Sequence, residues 1–101
     1  GISNMKKSDV EALLANPQIT GCQLKLENWW TVSIQWHEGA YCQTRHGRIV
    51  PCPNAEIAAW DDNNKWFDFG SDTVKGWQTP QEIADFVNEI SEKENYNDTI
   101  K

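Results

Sequence analysis

Residues 20–36, TGCQLKLENWWTVSIQW, decide the fold, because the apolar period in them is two. Cys22, Leu24 and Leu26 alternate with Gln23, Lys25 and Glu27. After Asn28, Trp30, Val32, Ile34 and Trp36 take one face while Thr31, Ser33, Gln35 and His37 take the other. Successive side chains of an extended strand point to opposite faces, so each run reads as a strand with one buried side. Two such runs joined by a short polar turn pair antiparallel.

The reading then extends towards the C-terminus. Glu38-Gly39 supplies a turn, and residues 40–45 read as a third strand. Its register stays open: a two-residue turn sets Tyr41 opposite Trp36, a three-residue turn sets Cys42 there. His46-Gly47 breaks that strand, and residues 48–54 form a connection punctuated by Pro51 and Pro53. Residues 55–60 read as a strand, 61–64 as a polar turn, 65–69 as a short strand and 70–77 as a loop. Thr79-Pro80-Gln81-Glu82 then opens a helix with an N-cap, a proline at the first helical position and a capping-box acid. Ile83, Phe86, Val87 and Ile90 follow at helical spacing.

Towards the N-terminus, Ser8-Asp9-Val10-Glu11 reads as a capping box, with Val10, Leu13 and Leu14 as the apolar stripe and Pro17 as the stop. The expected fold is therefore α+β: an antiparallel sheet of about five strands between an N-terminal and a C-terminal helix, order αβββββα. Both helices are expected to cover one face of the sheet. Residues 5–93 read as a single globular domain, 1–4 as an expression scar before Met5, and 94–101 as a polar, frayed tail.

Composition narrows the function classes. The chain has 101 residues, a formal charge of −6 and six Trp. An acidic chain lacks the basic face that phosphate backbones and anionic membranes require, so no direct nucleic-acid or membrane partner is expected. No apolar run approaches membrane-spanning length, and the N-terminus has no signal-peptide pattern. Three cysteines, Cys22, Cys42 and Cys52, without a close pair in sequence, point to a reducing compartment and hence the cytoplasm.

Several constellations have a chemical and a bland reading. Cys22, Cys42, His46 and Cys52 could compose a zinc set, but their spacing is not that of a zinc knuckle, so no metal is expected. A Cys–His nucleophile, Cys42 or Cys52 with His37 or His46, would need a depressed thiol pKa that only Arg45, His46 and Arg48 could supply. Asp61, Asp62 and Asp68 around Asn63 and Asn64 lack the glycine and terminal glutamate of a calcium loop, and a hairpin turn uses the same residues. Arg45, His46 and Arg48 make the one positive cluster, either an anion contact or an exposed turn.

More informative are the helix acids and the tryptophans. Glu82, Asp85, Glu89 and Glu92 fall on one side of the second helix, either a solvated face or a stripe that meets a basic surface. Trp30 and Trp36 belong to the core, and Trp60 and Trp66 bracket a hairpin where each can pack inward. Trp29 has the opposite parity from Trp30 and is the candidate for exposure. Trp77 precedes the helix cap, as a staple or a contact. These observations favour a small binding protein that docks on another protein with a basic surface, as a regulator or inhibitor. Trp29, Trp77, Glu82, Asp85, Glu89 and Glu92 are its expected contact residues. No enzyme activity and no cofactor are expected. A compact, acidic, Trp-rich α+β domain has the look of accessory proteins of phage or other mobile elements. The alternative is a small-ligand or carbohydrate module that uses Trp29 and the polar sheet face.

Overall fold

The computed structural model describes residues 4–93. The proposed scar up to residue 3 and the proposed tail from 94 onward lie outside the described residues. The elements are α1 (Lys7–Leu14), β1 (Gly21–Lys25), β2 (Thr31–Gln35), β3 (Ala55–Trp60), β4 (Lys75–Gln78) and α2 (Pro80–Ser91). The strands form one antiparallel sheet in the order β1-β2-β3-β4. The class is α+β as expected, but the sheet has four strands, not five.

The alternation in residues 20–36 gives the observed register. Cys22 and Leu24 lie beside Ile34 and Val32, which lie beside Ile57 and Ala59; this is the face that meets the helices. Gln23, Lys25, Thr31, Ser33, Ala58 and Trp60 share the other face. α2 packs on β3 and against α1, and seals Val32, Ile34, Trp36, Ile57, Ile83, Val87 and Ile90 from water. Burying an aliphatic or aromatic side chain of this size stabilises by roughly 1.5–3 kcal/mol, which makes this layer the principal source of stability.

Three expectations about elements are corrected. Residues 40–45 are not a strand. Ala40, Cys42 and Thr44 are buried and Tyr41, Gln43 and Arg45 exposed, so the alternation is real. The backbone bonds nonetheless close locally: Ala40 N–H to His37 O, Cys42 N–H to Ala40 O and Arg45 N–H to Cys42 O, each 3.0 Å. They end in a 3-10 turn, Gln43–His46. Residues 65–69 follow β3 only through the bridge between Trp66 and Trp60 and the bond from Phe67 N–H to Ala59 O. The missing pairing is supplied by β4, in what the sequence presents as loop; a register shift between Ala55 and Ile57 accommodates it.

The helix caps are half as expected. At α2, Thr79 Oγ1 accepts the Glu82 N–H at 3.3 Å and Glu82 Oε1 accepts the Thr79 N–H at 2.9 Å. At α1 the cap is Lys6 rather than Ser8: Asp9 Oδ2 accepts the Lys6 N–H at 2.9 Å, so the carboxylate starts the helix earlier and Ser8 lies inside it. The two helices run antiparallel, joined at one end by Asn88, whose side chain bonds the Met5 N–H and C=O at 2.8 and 2.9 Å.

Candidate functional site

α2 exposes Glu82, Asp85 and Glu89 while its opposite side is buried. Beyond the bridge at Trp66, the chain runs alongside α2. There Phe67 and Phe69 meet Phe86 of α2, with ring centroids separated by 4.9 to 5.4 Å in all three pairings. The result is a groove of about 360 Å³ between α2, β4 and residues 67–69. Phe67, Phe69, Phe86 and Ile57 provide the apolar floor, and Asp68, Glu82, Asp85 and Glu89 the acidic rim; Lys75 lines the groove, and Lys93 Nζ lies 5.2 Å from the centre of the Phe67 ring.

None of the four carboxylates forms a close ion pair among the described residues. Their partners are neutral: Asp85 accepts from Gln81 Nε2 at 3.0 Å, and Asp68 accepts the Gly70 N–H at 2.7 Å. Glu82 is held below the usual carboxylate range, first by the Thr79 backbone N–H, then by the Thr79 side chain, with the Lys75 amine adding to both. Glu82 therefore keeps its negative charge through neutral pH. Four carboxylates around an aromatic floor favour a cation with apolar flanks, because the ring faces attract cations as the carboxylates do.

The six expected contact residues are not one surface. Glu82, Asp85 and Glu89 line the groove together. Trp77 is next to Gln78, a groove residue, but its ring lies against Tyr41 at 5.9 Å. Trp29 sits on the β1–β2 turn, where Lys25 Nζ is 5.7 Å from its ring centre, and Glu92 is the C-cap of α2; neither lines the groove. Trp29 is 55% exposed, as its parity suggests, and Trp77, which the sequence leaves open as a staple or a contact, is 48% exposed. Both also have positive φ, 71° and 53°, a conformation that bulky side chains rarely adopt. Trp66 is 44% exposed and stacks on Trp60 at 4.6 Å on the outer sheet face, so this pair does not pack inward as expected.

The remaining candidates also have definite places. Asp61 Oδ1 accepts the Asn63 and Lys65 N–H groups, both at 2.9 Å, which is turn chemistry. Arg45 lies over Tyr41 at 4.7 Å and bonds Gly39 O, while Arg48 bonds Pro17 O. Among the described residues no His, Cys, Asp and Glu converge in a metal-holding group. Nor is any described helix long and apolar enough to cross a membrane. Sequence reasoning names Asp68 only in the calcium reading and misses its place beside the helix acids, along with the phenylalanine floor. The available signal is Phe67-Asp68-Phe69, an acid between two aromatic residues, but the helix it faces is not readable from it. No known protein family, curated protein or solved structure matches the chain.

Proposed function

We propose that this is a binding protein that docks on another protein by accepting a basic, amphipathic segment into the groove along α2, and so regulates or inhibits that partner. The observation that carries the reading is the rim of Asp68, Glu82, Asp85 and Glu89 around the floor of Phe67, Phe69 and Phe86. An Arg or Lys of the partner would lie over the rings, with its neighbouring apolar side chains on the floor. The aromatic floor supplies affinity, and the carboxylates supply orientation and a fast, salt-sensitive on-rate. The setting that fits is the cytoplasm, with an accessory protein of a phage or mobile element as the biological frame.

The test is affinity capture from lysate at low and moderate salt, with an Asp85→Asn/Glu89→Gln variant as control. Neither of those residues caps α2, so the variant is expected to fold. The reading expects a dominant partner whose contact segment is basic and which the variant fails to retain. Equal capture by the variant would remove the groove from the interface.

A second reading, a small-ligand or carbohydrate module, is favoured by one observation: the exposed rings of Trp29 and Trp66 stand at the rim of a polar sheet face. Titration of intrinsic fluorescence against a glycan and metabolite panel separates the two. Emission shifts at saturable concentration support the second reading, and a flat response rejects it.

A further inference from the structure

Cys42 and Cys52 are distant from any motif and ten residues apart in sequence, yet the fold lays their segments side by side. The Gln43 N–H donates to Asn54 Oδ1 at 2.7 Å, and Thr44 Oγ1 lies 2.9 Å from Cys52 Sγ. The Cys42 thiol donates to His37 O at 3.7 Å and the Cys52 thiol to Asn54 O at 3.0 Å, both side chains being almost wholly shielded from water. Between them the chain makes an excursion through Arg45, His46, Gly47, Arg48, Ile49 and Val50, all exposed. Cys22 is in β1, outside this arrangement.

One of the two cysteines lines a cleft. Cys52 lines a cleft of about 570 Å³ between α1, the proline-rich connection and the start of α2, with Ala15, Pro51, Pro53 and Pro80 on its walls. Lys7 and Glu11, paired at 4.0 Å, and the N-terminal residues of α2, Thr79 and Gln81, also line it. The N-terminus of α2 favours an anionic reagent there. Cys42 does not line that cleft.

We infer that Cys42 and Cys52 form a redox-active dithiol that closes to an intramolecular disulfide by exchange with a small disulfide entering the cleft at Cys52. Cys52, as the thiolate, attacks one sulfur of the reagent and releases the other half as a thiol. Cys42 then gives up its proton and attacks Cys52 in that mixed disulfide, expelling the second half as a thiol. The protein loses two hydrogens and the reagent gains them. Burial pushes the Cys42 thiol up, so the second step accelerates with rising pH. The closed ring spans residues 42–52 and tethers the exposed segment that carries Arg45, His46 and Arg48.

The experiment is incubation of the folded chain with oxidised glutathione, followed by intact mass, alkylation of free thiols and tryptic digestion without reductant. The expected product is lighter by about two mass units. It has one alkylatable thiol, Cys22, and it stays in one piece after cleavage at Arg45 or Arg48 until dithiothreitol is added. Ring closure of this length is expected to raise Tm by roughly 5–15 °C. Cys42→Ala is expected to stop at a stable glutathione adduct on Cys52, which shows entry at that thiol even if the variant is less stable. A persistent adduct on the unmodified chain, a covalent dimer, or no reaction at Cys52 while Cys22 reacts would each overturn the inference.

Discussion

Replacing Trp29 by alanine and, separately, by glycine tests the backbone at the most exposed tryptophan. Leu26 and Trp30 exchange a bond from the Leu26 N–H to Trp30 O at 2.8 Å, which leaves Glu27, Asn28 and Trp29 as a three-residue hairpin loop. Such loops end in a left-handed residue, a position suited to glycine, and here Trp29 occupies it at φ 71°. In ordinary extended or helical backbone, glycine is less stable than alanine by about 0.5–1 kcal/mol. A left-handed L-residue carries a penalty of roughly 1–2 kcal/mol that glycine escapes. Both variants lose the same ring, including its contact with Lys25, so the burial terms cancel between them. The conformational terms leave Trp29→Gly more stable than Trp29→Ala by about 1 kcal/mol, the reverse of the usual order. Urea titration reads this as a higher midpoint for the glycine variant at unchanged slope. For a domain this small the same difference appears as about 4–8 °C in Tm. Equal midpoints, or alanine above glycine, would refute the left-handed turn.

Three other outcomes follow from local geometry. Gly76→Ala is expected to destabilise clearly, since a Cβ there would sit 2.5 Å from Tyr41 Cβ and 2.7 Å from Tyr41 O. Gly21→Ala meets only the movable amide of Gln35 and should cost far less, as paired thermal melts would show. Asp61→Ala removes the acceptor of two backbone N–H groups and should cost about 1–3 kcal/mol, whereas Asp61→Asn retains an acceptor and should cost less; denaturant midpoints rank them. Glu82→Gln should lose stability at neutral pH and not in acid. Because the folded carboxyl is depressed, its contribution is complete above the unfolded pKa, near 4.3, and disappears as pH falls through the lower folded value. A gap between Glu82→Gln and the unsubstituted chain that persists at pH 2 would contradict this, by thermal melts across the pH series.

What was legible in the sequence is what local chemistry determines. The α2 start is fixed by Thr79, Pro80 and Glu82 within four residues, and the β1–β2 hairpin by an alternation that tertiary packing only reinforces. Residues 40–45 mislead because their alternation reports burial, while their backbone satisfies itself in turns rather than in a ladder. β4 is illegible for the opposite reason. Gly76 and the left-handed Trp77 look like loop, and only the neighbouring β3 makes them a strand. At the site, helix periodicity places Glu82, Asp85 and Glu89 on one exposed side. The floor beneath them needs residues 67–69 to pack against Phe86 of α2, a tertiary arrangement with no local signature. The exposure of Trp29 is legible from its parity, that of Trp77 is not, and neither residue is legible as lying outside the groove.

The most direct test of the groove is a titration of ¹⁵N-labelled protein with a short synthetic peptide that alternates Arg with Leu, followed by amide chemical shifts. A peptide that alternates Glu with Leu serves as the control. The account predicts saturable shifts centred on Phe67, Asp68, Phe69, Glu82, Asp85 and Glu89, weakened by added salt and by Asp85→Asn/Glu89→Gln. Shifts that ignore salt and that variant, or that centre on Trp29 and the outer sheet face, would contradict it.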